Sequence, residues 1–510
     1  MTDSVLASAV TFAVYFAVMV GIGLWTYRRT TSASDFYLGG RSLNSWVSGL
    51  SANASDFSGW LLLGLPGAIY LSGLGEAWIA VGLAIGFYAS WRVVAPRLRV
   101  YTERATDARR GGESDSLTLS SFLENRFGER RGLLRGVSAL LILVFYLFYV
   151  ASGLVAMSVL FDQVFGLPGT AAVVLGASVI VLYTFLGGFL AVSFTDVVQA
   201  AMMWAALLAV AATALVALGG LGGAVDGVAS RGDALLSPLG GTALADGEWT
   251  STETLGVLVI VSGLAWGIGY FGQPHILARF MGIRSVAHIP RARVVSVAWA
   301  VTAMALAVLV GFLGIAYFDR PLDNPESVFL SLIQALTNPW VAGFLLSAVL
   351  AAVMSTADSQ LLVAAAALTE DGYRVLARRE VSPAAMVWIS RFAVVGVAVA
   401  AGVLAVTSQD SVLDLVGYAW AGFGAAFGPV IVLALYWRRM NWAGALAGMV
   451  AGGTVALVWP GVDPIGLYAM VPAVLASVAA ILVCNPLGPQ ATEQLAADFR
   501  RVEQEVAGGL

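Results

Sequence analysis

Residues 51–60 read SANASDFSGW and residues 262–274 read SGLAWGIGYFGQP, and each stretch interrupts an otherwise apolar run, at about 44–71 and 254–277. Small and polar residues weaken a helix there, at a depth where lipid offers no hydrogen-bond partner. The backbone they free must face protein, water or a ligand. Gly, Ser and Pro also simply kink packed helices, so one such stretch alone decides nothing. Two of them, five crossings apart, fit secondary transporters built from inverted five-helix repeats, each opened by a discontinuous helix. Helices two to six, about 44–219, and helices seven to eleven, about 254–436, are then the repeats.

The composition supports a chain embedded in lipid. Of 510 residues 59% are apolar and 11% charged, and the mean hydropathy is +0.85, whereas about a quarter of an ordinary soluble domain is charged. A net charge of −4 gives no basic field for nucleic acid. One cysteine, Cys484, and two histidines, His275 and His288, leave no zinc or iron motif. All 27 cations are arginine, so lysine chemistry is excluded, and no phosphate-binding GxxxxGK[ST] occurs to power transport by nucleotide hydrolysis.

A crossing helix needs about 20 apolar residues. Thirteen runs qualify: 5–26, 44–71, 77–96, 136–162, 170–189, 192–219, 254–277, 294–317, 340–367, 384–405, 412–436, 441–459 and 464–484. The first lacks a charged leader and a cleavage site and reads as a retained helix. Positive residues collect in cytoplasmic loops. With the N-terminus outside and the C-terminus cytoplasmic, 25 of the 27 arginines fall inside, all but Arg231 and Arg320. The loops at 97–135 and 220–253 are too short for a catalytic domain. Residues 1–490 read as one polytopic domain, and 491–510 as a cytoplasmic tail with an amphipathic helix. The expected address is the plasma (inner) membrane.

Within the first break Asp56 is a carboxylate at bilayer depth, which marks an ion path or pairs with an arginine such as Arg41. Ser58 and Gly59 follow, a hydroxyl and a bare backbone. Ala352, Ser355 and Thr356 in AAVMSTADSQLL share one helical face. Their hydroxyls either bond back to their own helix or, facing the carbonyls of a broken helix, complete a cage of about five oxygens. Such a cage has too little formal charge for calcium and suits a monovalent ion. Trp266, Tyr270 and Pro274 recur every four residues, as packing or as the wall of a small apolar pocket with Gln273 as a polar contact. His275 and Arg279, nearer the cytoplasmic end, read as interface or gate groups. Asp358 adds an acid on the same helix as Ser355.

These segments resemble the sodium/solute symporter family, and its sodium/proline symporters in particular. The likeness rests on DFYLGGRSL at 35–43, SDFSGWLLLGLPGA at 55–68, YTFLGGFLAVSFTD at 183–196, WGIGYFGQPHILARFM at 266–281, AAVMSTADSQLL at 351–362 and YAWAGFGAAFGPV at 418–430. It runs from about 8 to 485 and is weakest at 220–253 and in the tail. The resemblance implies an all-α membrane protein with thirteen transmembrane helices and a leucine-transporter-type core formed by helices two to eleven. It also implies one-for-one inward coupling of sodium to L-proline by alternating access. The carbonyls of Ala54, Phe57 and Ala352 and the hydroxyls of Ser355 and Thr356 would hold sodium, with Asp56 needed for its affinity. Ser58, Gly59, Tyr149, Trp266, Tyr270 and Pro274 match the family's substrate positions, and Arg41 its coupling arginine.

No organic cofactor and no obligate protein partner is indicated; the expected partners are sodium, L-proline and the bilayer. Another small amino acid or carboxylate is the alternative substrate. A channel, a sensor or an intramembrane enzyme is the alternative class, the last disfavoured because Asp56 has no catalytic partner in the sequence.

Overall fold

The structure is a computed structural model, and it describes residues 3–27, 38–103, 105–106, 113–114, 116–186, 189–245, 247–251, 256–373, 383–489 and 492–509. Arg28, Arg29, Arg104, Arg109, Arg110, Arg374, Arg378 and Arg379, used above for topology, lie outside the described residues, as does the start of DFYLGGRSL.

Helices dominate, and their ends follow local chemistry. Asn44, Asn338 and Asn441 each accept two backbone N–H groups at a helix start, and Ser411 with Asp414 forms a capping box. Pro339 and Pro274 occupy first-turn positions, where the missing N–H costs nothing. Gly166 closes helix Leu133–Phe165 in the left-handed conformation. The Glu326 carboxylate also accepts the N–H groups of Val412 and Leu413 at 3.0 and 3.1 Å, pinning an outlying turn onto helix Val412–Tyr436. Burial raises that carboxyl above its usual 4.5, against the pull of those two donors.

Among the described residues ten helices are long and apolar enough to cross a membrane, or eleven when the bent pair Val257–Phe271 and Pro274–Gly282 counts as one. Two expected spans fall outside that count. Ser45–Asp56, the first half of the run at 44–71, is only 12 residues long because the helix breaks after it; its second half continues through the turn Gly73–Glu76 into Ala77–Glu103. The run at 170–189 forms the apolar helix Gly169–Leu186, 18 residues long, of which only Gly169–Leu182 has described side chains and enters the count as a shorter helix.

Helices Pro339–Ala366 and Val412–Tyr436 form the centre, each with 83% of its most apolar window buried, against 28% for the first and last spans. The outer helices instead expose apolar side chains such as Val14, Leu182, Val216 and Val403, the pattern of a surface solvated by lipid. The stretch at 220–251 folds over one end of the first broken helix. It forms helix Leu221–Ala229 and an antiparallel hairpin of Thr242–Ala245 with Glu248–Ser251. The Trp249 indole donates to the Tyr70 carbonyl at 2.9 Å and meets the Tyr70 ring edge-on. The tail forms helix Glu493–Gly509, which buries Ala496, Phe499 and Val502, as its amphipathic pattern predicts.

Candidate functional site

The first break results from one diverted hydrogen bond. In a continuous helix the Ser58 N–H would bond the Ala54 carbonyl four residues back. Here it donates to the Asp56 carbonyl at 3.0 Å, closing a tight turn about Phe57 with φ −78° and ψ 86°, close to an inverse γ-turn. The chain then re-enters helix through a π turn, Trp60–Gly64. The Asp56 carbonyl also accepts the Trp60 indole N–H at 3.0 Å and the Tyr149 hydroxyl at 3.2 Å. Phe57 buries its ring against Trp60, Phe87 and Trp299, so its side chain serves packing.

The Ala54 carbonyl, relieved of its helical donor, faces the helix that carries the second half of the expected cage. Ser355 Oγ donates to it at 2.7 Å and Thr356 Oγ1 at 3.2 Å, and Ser355 Oγ also reaches the Ala352 carbonyl at 3.1 Å. Four of the five expected oxygens therefore converge, on two helices 300 positions apart in the chain and completely shielded from solvent or nearly so. Neither hydroxyl donates to the Phe57 carbonyl, the fifth member. The cluster contains no formal charge.

The second break falls at Gly272 and Gln273, between the 3₁₀ turn Trp266–Phe271 and helix Pro274–Gly282, and bends the axis by 44°. Glycine is required where helices touch here: a Cβ on Gly269 would stand 2.0 Å from the Trp420 indole nitrogen, and one on Gly59, in the first break, 2.5 Å from Ala156 Cβ. Gly59 is thus packed against the helix that carries Ala156. Trp266 is stacked on Tyr468 at 5.0 Å, and its carbonyl accepts the Trp420 indole. Tyr270 packs between Phe87 and Trp420. Gln273 donates to the Trp420 carbonyl at 3.4 Å, while its own Oε1 is buried without a partner. Pro274 starts the second half-helix and borders a small cavity.

The two breaks are joined directly. Tyr270 donates its hydroxyl to Asp56 Oδ2 at 2.7 Å, while Asp56 Oδ1, also buried, has no partner. Asp56 therefore pairs with neither Arg41 nor the hydroxyl cluster. Arg41 closes a glycine turn with φ +52° and donates to Thr102 and to the carbonyls of Met281, Thr102 and Ser116, which ties the end of the second broken helix to helix Ala77–Glu103. A parallel bridge between Leu43 and Ile283 joins the same two broken elements.

His275 and Arg279, expected as interface or gate groups, lie in the core, which removes the interface reading. Both are fully buried: His275 Nδ1 and the Tyr146 hydroxyl share a bond of 3.2 Å, and Arg279 pairs with Asp196 at 3.2 Å. Ser51 donates to the same Asp196 oxygen at 2.7 Å, and Arg279 donates to Ser359. Asp358, left unassigned by spacing, accepts from Ser359 at 3.4 Å and keeps one buried oxygen unpartnered. Asp196 was legible as a lone carboxylate in YTFLGGFLAVSFTD; its partner was not, because 83 residues separate them.

This geometry has known counterparts. The profile of the Sodium:solute symporter family matches residues 36–452. The chain is 46% identical to the sodium/proline symporter of Escherichia coli K12 over 94% of its length and 93% of that protein's. It is 44% identical to the high-affinity proline transporter PutP of Bacillus subtilis 168, covering 94% of this chain and 98% of that one. In fold it is similar to a solved sodium-coupled sialic acid symporter, with a TM-score of 0.78 at 18% identity over 96% of this chain and 99% of that chain. It is also similar to MhsT in complex with L-phenylalanine, with a TM-score of 0.52 at 14% identity over 86% and 97%. The architecture is that of the leucine-transporter type, in a multi-pass membrane protein. On sequence and on fold together, the chain belongs to the sodium:solute symporter family.

Proposed function

We propose that this protein is a sodium/proline symporter of the plasma membrane, taking up one L-proline with one sodium ion by alternating access. The observation that carries the reading is the Ala54 carbonyl, which has lost its own helical donor and is bound by the hydroxyls of Ser355 and Thr356. When sodium arrives, the two hydroxyls rotate their protons away and turn lone pairs to the ion. The carbonyls of Ala54, Phe57 and Ala352 complete a neutral five-oxygen cage, and Asp56 supplies long-range attraction for the cation from beside it. The names of the relatives support proline as the partner solute.

Thirteen crossings, with repeats at about 44–219 and 254–436, place the N-terminus outside and the C-terminus in the cytoplasm, the arrangement the arginine distribution supports. Sodium entering from outside fastens the first broken helix to helix Pro339–Ala366 and so orders the residues beyond Asp56. Proline's carboxylate meets Ser58 and the N-terminus of the helical segment beginning at Trp60. Its ring packs among Tyr149, Trp266, Tyr270 and Pro274, with Gly59 setting how closely the backbone meets the neighbouring helix and Gln273 giving a polar contact. Burying three methylenes contributes about 2 kcal/mol. The membrane potential adds about 2.3 kcal/mol per charge per 100 mV. Arg41 holds the second broken helix in register with the first during coupling.

Proline counterflow into proteoliposomes tests this reading. Uptake of labelled proline that requires sodium and is competed by unlabelled proline supports it. Counterflow indifferent to sodium, or competed only by another amino acid or carboxylate, overturns it.

A further inference from the structure

Beyond Ala366 the helix that carries Ala352, Ser355 and Thr356 continues as a π turn, Ala367–Tyr373, and Asp371 lies in that turn. Asp371 is fully buried, and the symport reading assigns it nothing. Arg135 Nε donates to Asp371 Oδ1 at 2.8 Å, and Arg135 Nη1 to Glu124 Oε2 at 3.1 Å. Thr118 Oγ1 donates to the same Asp371 oxygen at 2.9 Å while accepting the Ser121 N–H that caps helix Leu119–Phe127. One arginine thus ties three elements: the short helix Leu119–Phe127, helix Leu133–Phe165, and the far end of the cage helix. Glu370 is buried beside them. A buried group of charges of this kind is poor glue; it is stable either fully paired or fully hydrated, which suits a part that opens.

Its position supplies the route. A cavity of about 30 Å³ has Pro274 and Ala278 on one wall, Leu362 and Ala366 on another, and Thr118 and Asp371 among its remaining lining residues. That is room for about one water molecule. We propose that Arg135 is a positioning residue for the transport cycle: through Asp371 and Thr118 it holds helix Leu119–Phe127 across the path from Pro274 to the cytoplasm, and substrate leaves when this cluster separates. Because Asp371 belongs to the same helix as Ser355 and Thr356, loss of sodium from the cage and opening at Arg135 are movements of one rod. The inference rests on the symport reading for what passes, but not for whether the path opens.

The test uses full-length protein carrying Cys484→Ser and Ala366→Cys, in inside-out vesicles without sodium, labelled by a membrane-impermeant maleimide. Arg135→Gln and Asp371→Asn should each raise the labelling rate about tenfold, the shift expected when a charge-assisted hydrogen bond of the closed state is lost. Arg135→Lys, which keeps the charge without the fork, should fall between. Both neutral variants should also raise the proline KM for uptake more than they lower the maximal rate. Retention on size-exclusion chromatography establishes that each variant folds; Asp371→Asn, nearly isosteric, guards against misfolding at Arg135. Labelling unchanged in folded variants, or lowered together with thermal stability in all three, overturns the proposal. Labelling needs no substrate, so an error in the proline assignment leaves this readout intact.

Discussion

Tyr270 and Asp56, 214 residues apart, share a hydrogen bond of 2.7 Å that joins the two broken helices at their breaks. It is one of the side-chain links between the element that offers the freed carbonyl and the second broken element, beside the bond of Arg279 to Ser51. On the proposed symport reading, a signal from the cation site to the pocket has a short covalent and hydrogen-bonded path: Ala54, Asp56, Tyr270. Tyr270→Phe removes the donor and leaves a buried carboxylate with no hydrogen-bond partner. Loss of a bond to a charged group, about 1.5–3 kcal/mol, should raise the proline concentration for half-maximal uptake by one to two orders of magnitude. Asp56→Asn keeps an acceptor for Tyr270 but removes the charge, so it should raise the sodium requirement more than the proline requirement. Initial-rate uptake over a grid of both concentrations separates the two.

The proposed cage makes unequal demands on its hydroxyls. Ser355 has the shorter bond to the Ala54 carbonyl and a second to Ala352, whereas Thr356 has one long bond. Ser355→Ala should raise the half-saturating sodium concentration more than Thr356→Ala does, with the maximal rate at saturating sodium changed less in both. Sodium titration of proline uptake measures it.

Much of this was visible in the sequence. The breaks at 51–60 and 262–274 announce themselves because glycine, serine and aspartate are costly within a lipid-embedded run, and Ser355 and Thr356 share a helical face by simple periodicity. What periodicity omits is partnership across the chain. Arg41 stood only as the alternative partner for Asp56, and the donor is Tyr270; His275 and Arg279, read as interface or gate groups, are buried, Arg279 against Asp196. The residue that breaks the first helix is also invisible from composition, since the outcome depends on which carbonyl the Ser58 N–H chooses.

Gly59 is a packing requirement. A methyl group there would come within 2.5 Å of Ala156 Cβ. Gly59→Ala should destabilise the protein by about 1–3 kcal/mol, the usual cost of overpacking, and Ala156→Gly should restore part of it. Thermal unfolding of detergent-solubilised single and double variants checks the rescue.

The Asp196–Arg279 pair should behave as a unit. Removing one member strands a buried charge, at about 3–5 kcal/mol. Arg279→Met alone should therefore unfold at a markedly lower temperature than Arg279→Met with Asp196→Leu. Losses that simply add in the double-mutant cycle would mean that the two do not interact.

Binding of proline to the purified protein at equilibrium, with and without sodium, tests the clasp between Ala54 and Ser355 most directly. Coupling between two ligands is reciprocal, so sodium should tighten proline binding by the same factor by which proline tightens sodium binding, and Ser355→Ala should shrink both factors together. Proline binding of equal strength with and without sodium, or a Ser355→Ala protein in which the coupling factor is unchanged, would contradict it.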